Sequence, residues 1–133
     1  MSARRAPHWV IDEVVPQIHQ LQLERHGGAP GIRDEGLLSS ALNRPKNLYT
    51  YGQSELFSLA ASYAYGLVKN HPFFDGNKRV AFVVMSLFLE LNGHQLTAGQ
   101  DEAAEAIIAV ASSEWSESEL ADWLRRSTER LPH

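Results

Sequence analysis

A chain of 133 residues, 44% of them apolar, is long enough to form one domain, residues 1–133, around a core of ordinary size. Its formal net charge of −4 argues against direct nucleic-acid binding, and the lack of cysteine excludes a disulfide framework and thiolate metal sites. No segment approaches the roughly 20 consecutive apolar residues of a membrane helix, and Arg4 and Arg5 are followed by no apolar stretch, so the chain is expected to be cytoplasmic with neither membrane span nor secretory leader.

In chain order, Asp12 is placed to cap a helix reaching about His26. Val14, Val15, Ile18, Leu21 and Leu23 follow helical spacing, and Pro16 falls in the tolerant first turn. The run Gly27-Gly28-Ala29-Pro30-Gly31 is a break. Asp34 then caps a short helix, about Glu35 to Leu42, expected to stop near Arg44-Pro45. Tyr49, Thr50 and Tyr51 favour extended backbone between turn formers, so residues 45–54 read as a loop or small hairpin. Ser54 is placed to cap a helix from Glu55 to Asn70, which carries Leu56, Ala60, Tyr63, Ala64 and Leu67 along one stripe. Pro72 pushes His71 out of helical geometry and ends that helix.

The next helix, about Asn77 to Leu91, is apolar almost all round, interrupted by Ser86 and Glu90, and closes on Asn92-Gly93. Such a helix belongs in the middle of a domain. A helix from Asp101 to Ala111 follows. Ser116 and Glu119 form a capping box for a last one, with Leu120, Trp123 and Leu124 on its apolar face. The expected fold is all-α: a compact bundle of about six helices around a buried central helix, with a short extended flap.

Charge is unevenly spread. Between Arg44 and Arg79, Arg44, Lys46, Lys69, Lys78 and Arg79 face only Glu55 and Asp75, whereas the chain from Asp101 onward is acidic. The basic segment contains His71-Pro72-Phe73-Phe74-Asp75-Gly76-Asn77-Lys78-Arg79, directly ahead of the apolar helix. Lys78 and Arg79 fall in its first turn, where the helix dipole is already positive, so an anion is expected to join them. His71 has the chemistry of a general base near neutral pH. Asp75 is either the helix N-cap or, if Asn77 caps instead, a free carboxylate suited to Mg²⁺ beside phosphate oxygens. Gly76 permits close approach of backbone N–H groups to an anion. Phe73 and Phe74 read as packing residues that anchor the loop. A metal site made by His71 and Asp75 alone is poor, since no second histidine lies at helical spacing. The remaining histidines, His8, His19, His26, His94 and His133, read as structural. No Walker loop or dinucleotide fingerprint is present.

The nine-residue motif resembles the core motif of the Fic/Doc superfamily. Gly31-Ile32-Arg33-Asp34, Leu37-Leu38-Ser39-Ser40-Ala41-Leu42, Pro45 and the Trp123-Leu124 helix are similar to the death-on-curing (Doc) branch. Lys78 stands where Fic adenylyltransferases have glycine, and Phe82 where they have a second, phosphate-gripping arginine. The resemblance implies a toxin of a toxin–antitoxin pair that transfers the ATP γ-phosphate to a threonine or serine hydroxyl of a translation factor, elongation factor Tu. It gives His71 as the base, Asp75 as the Mg²⁺ ligand, Gly76, Asn77, Lys78 and Arg79 as phosphate contacts, and Tyr49, Thr50, Tyr51 and Gly52 as a flap that docks the target. It also implies a Phd-like antitoxin whose disordered tail folds onto the toxin. The alternatives are a nucleotidyltransferase that attaches AMP to a protein hydroxyl, and a non-catalytic module that binds nucleotide or antitoxin. Ser113 to Glu117 has the spacing of the inhibitory helix of some Fic proteins, but Ser118 replaces its final glycine or asparagine.

Overall fold

A computed structural model describes residues 6–132; Arg4, Arg5 and His133 lie outside them. Six helices, α1 (Val14–His26), α2 (Glu35–Thr50), α3 (Leu56–Asn70), α4 (Asn77–Leu91), α5 (Gln100–Ala111) and α6 (Glu117–Arg126), are joined by two three-residue strands, β1 (His94–Leu96) and β2 (Thr128–Arg130). The all-α fold expected from the sequence is the fold observed. Among the described residues no helix is long and apolar enough to cross a membrane.

The apolar helix α4 is central, packed by α3, α5, α1 and β1. Val80, Ala81, Val84, Met85, Phe88 and Leu89 are buried along it. Each such side chain contributes roughly 1.5–3 kcal/mol for the larger ones, which fixes the helix against the bundle. Its closest partner, α3, is buried over Leu59–Ala64 and again at Gly66, Leu67 and Val68, wider than the single stripe expected. Tyr63 is fully buried between them, and its hydroxyl accepts the Val10 N–H at 3.3 Å. Burial pushes that phenol up to about 12. Helix α6 opens with the expected capping box of Ser116 and Glu119.

The N-cap of α3 is Glu55 rather than Ser54, and three expectations about α1 and α2 fail. Helix α1 is not capped by the Asp12 side chain; its N-cap is Glu13, with no side-chain bond, and the Asp12 carboxylate instead accepts from Lys46 Nζ at 3.3 Å. Helix α2 does not stop at Pro45 but runs through it to Thr50. Pro45 offers no N–H to the Ala41 carbonyl. At that point α3 presents Gly66, where an added Cβ would lie 3.2 Å from Ala41 Cα and 3.3 Å from its carbonyl oxygen. The two backbones therefore touch, and tertiary packing holds the proline in the helix.

The third follows from the second. Tyr49 and Thr50 are helical, Tyr51 is the C-cap and Gly52 a turn, so no extended flap exists there. Tyr49 packs edge-on against Trp9 (5.8 Å), which stacks on Phe88 (5.8 Å). Phe88 lies three turns along α4 from Asn77, a rise of roughly 16 Å. Tyr49, Thr50, Tyr51 and Gly52 thus belong to the opposite end of the bundle from the motif. The extended backbone beside the motif comes from Ile32, which bridges Phe73 in antiparallel fashion. The antiparallel pairing of β1 with β2 across α5 and α6, with His94 opposite Arg130 and Leu96 opposite Thr128, was not expected from three-residue segments.

Candidate active site

The motif forms the connection from α3 to α4. His71 is the C-cap of α3 with φ 51° and ψ 55°, a left-handed conformation in a residue with a side chain. That conformation costs an L-residue roughly 1–2 kcal/mol, and the following proline excludes the helical alternative. The segment after α1 holds it in place. Arg33 Nε donates to the His71 carbonyl at 2.7 Å and Arg33 Nη2 to the Asn70 carbonyl at 2.9 Å. The Pro72 carbonyl accepts from the backbone N–H groups of Arg33 (2.7 Å) and Asp34 (3.1 Å), and Phe74 N–H reaches the Gly31 carbonyl at 3.3 Å.

The second half of the loop is held from inside. Phe73 is fully buried, while Phe74, expected to pack beside it, is 55% exposed. The Asn77 side chain is buried and bonds Phe73 twice: its Oδ1 accepts the Phe73 N–H (3.0 Å) and its Nδ2 donates to the Phe73 carbonyl (2.9 Å). The Asn77 side chain is therefore committed to the loop. Its amide staples the loop, leaving only its backbone N–H for any outside partner. The N-cap of α4 is neither Asp75 nor Asn77 but Gly76, at φ 79°.

Asp75 is exposed, with Oδ1 accepting from Gly76 N–H (2.9 Å) and Oδ2 from Ala29 N–H (3.3 Å). A carboxylate has about four lone-pair sites, so two stay open for a cation. Gly28 has to be glycine here: at φ 123°, a Cβ would come 2.8 Å from Asp75 Oδ2. His19, read from sequence as structural, is 4% exposed and stacks on Phe73 at 3.9 Å. Its Nε2 donates to the Asp75 carbonyl at 2.9 Å, so it braces the loop from α1. His19, Gly28 and Arg33 act through contacts dozens of residues away, which local spacing does not reveal. Arg33 was legible only as part of the Gly31-Ile32-Arg33-Asp34 likeness.

His71, Asp75, Gly76, Asn77, Lys78 and Arg79 line one pocket of about 520 Å³. Its other wall is mostly apolar: Val68, Phe82, Ala104, Ile107, Ile108 and Ala111, with Gln100 at the rim. Lys78 and Arg79 are exposed and take no salt bridge among the described residues. With the unpaired N–H groups of the first turn of α4, they make a concave, positive surface that fits a phosphate chain. No three metal-binding side chains converge among the described residues. A lone carboxylate beside such a surface fits Mg²⁺, which takes one or two carboxylates and draws its other ligands from phosphate and water.

Residues 9–89 match the model of the Fic/DOC family. The chain is similar to the protein kinase doc of Escherichia phage P1, 34% identical over 118 residues that cover 88% of this chain and 93% of the relative. It is also similar to the toxin Doc of Mycolicibacterium smegmatis, 41% identical over 78 residues, covering 56% of this chain and 59% of the relative.

Proposed function

The chain belongs to the Fic/DOC family, and from that premise we propose that it is the toxin of a toxin–antitoxin pair, a protein kinase that moves the γ-phosphate of ATP to a threonine or serine hydroxyl of a translation factor. Elongation factor Tu is the acceptor that the Doc resemblance suggests. One observation carries the reading: a base, a single carboxylate and two uncompensated cations share the pocket at the start of a buried helix.

The chain's own residues divide the work as follows. His71 takes the proton from the acceptor hydroxyl as its oxygen bonds to the γ-phosphorus, and the bond to the β-phosphate oxygen breaks to release ADP. Lys78, Arg79 and the N–H groups at the start of α4 lie against the phosphate chain and oppose the charge that spreads over the transferring group. Asp75 would hold the Mg²⁺, which when bound neutralises phosphate oxygens. His19, Asn77 and the Gly28–Ala29 turn keep Asp75 facing the pocket. Phe82 puts an aromatic ring in the wall of that pocket where an adenylyltransferase would need a second arginine, which favours phosphate over nucleotide transfer. A Phd-like antitoxin is the expected restraint in the cell.

The test incubates the purified protein with Mg²⁺-ATP and a translation extract and weighs the modified protein. A phosphate increment is expected. A nucleotide increment would replace this reading with adenylyl transfer, and ATP binding without any increment would leave a binding module.

A further inference from the structure

We propose that Arg33 is a positioning residue for the general base: its guanidinium holds the His71 backbone in the left-handed conformation that aims the imidazole into the pocket. The proposal rests on the kinase reading for its kinetic consequences and on geometry alone for its structural one.

Residue 71 has two accessible backbone states. Before a proline, the extended region near ψ of about +140° is the ordinary choice, yet His71 sits at φ 51° and ψ 55°. Moving between these states swings the His71 carbonyl and the direction of its side chain together. That carbonyl is the group Arg33 Nε holds at 2.7 Å, while Nη2 holds the neighbouring Asn70 carbonyl at 2.9 Å. The fork therefore spans the hinge and fixes the orientation of one carbonyl relative to the next. A guanidinium suits this because its N–H groups are coplanar and rigidly spaced; an ammonium, with three rotating donors on one atom, would not fix the spacing of the two carbonyls. The fork is anchored in turn, since the Arg33 and Asp34 N–H groups both bond the Pro72 carbonyl, and Asp34 caps α2 by accepting the Leu37 N–H at 2.9 Å. Arg33 is exposed, so its loss leaves the core packing untouched.

Arg33→Ala should lower kcat by roughly 10²-fold, the scale of a misplacement of about 1 Å, while the KM for ATP stays unchanged, because the phosphate contacts lie on α4. Arg33→Lys should fall between the two, and added methylguanidinium should restore Arg33→Ala where methylammonium does not. A wild-type rate in Arg33→Ala, or equal loss of kcat and ATP affinity, would overturn the proposal. A second measurement does not depend on the reaction. The ring resonance of His71, assigned by its disappearance in His71→Asn, should shift or broaden in nucleotide-free Arg33→Ala while that of buried His19 stays put. If His71 is unmoved in the folded variant, Arg33 does not position it. If wild-type protein transfers no phosphate, the kinase reading falls and this spectrum still decides the clamp.

Discussion

Arg44, Lys46 and Arg125 each meet a carboxylate from a distant part of the chain: Arg44 that of Glu117, Lys46 that of Asp12 at 3.3 Å, and Arg125 that of Glu55, with Asp122 beside it. Lys78 and Arg79 meet none among the described residues, although they stand where the helix dipole already repels them. The first set ties helices together and is electrically complete. The second is left incomplete on a rigid, buried helix. At the start of α4 that incompleteness, lining the pocket, is what a phosphate would complete, whereas the paired charges hold the helices.

The strongest way to break that contrast is at the base. His71→Ala should abolish transfer, a loss of about 10²–10⁴-fold in kcat, while ATP affinity measured by calorimetry stays near wild type; retained activity would end the assignment. Next come the free cations. Lys78→Met and Arg79→Met should each weaken ATP binding or transfer by about 10–100-fold, the worth of a charge-assisted bond, with the urea midpoint unchanged or raised. Asn77→Ala should act on stability as well, since it leaves the Phe73 N–H and carbonyl buried without partners, at about 1–3 kcal/mol per group in urea unfolding.

Smallest is the compensated pair. The Arg125 guanidinium bonded to Glu55 holds that carboxyl below its usual range. A depressed carboxyl stabilises the fold above its unfolded pKa, and that contribution disappears as pH falls through the folded one. Glu55→Gln should therefore cost under about 1 kcal/mol at neutral pH, the pair being solvent-screened. The difference from wild type should close in acid, with transfer activity unaffected at neutral pH.

How far the sequence could be read follows the same division. The apolar run from Val80 to Leu91 placed α4 with its observed ends, and the capping box placed α6, because both signals are local. The motif put His71, Asp75, Lys78 and Arg79 together for the same reason. Pro45 misled because Gly66, on another helix, decides whether α2 continues. The flap was misplaced as a consequence, and the extended backbone beside the motif is the isolated bridge of Ile32 to Phe73. His19 was read as structural and Arg33 only as part of a likeness; their contacts to the loop were not legible because the partners lie 56 and 38 residues away.

The handedness of residue 71 bears on how the site should be dissected. Asparagine, aspartate and glycine take that turn readily, alanine with some strain, and a β-branched residue hardly at all. His71→Asn removes the imidazole and leaves the peptide path alone, whereas His71→Val would unseat the loop as well. An inactive valine variant would thus say nothing about proton transfer, and an inactive asparagine variant would.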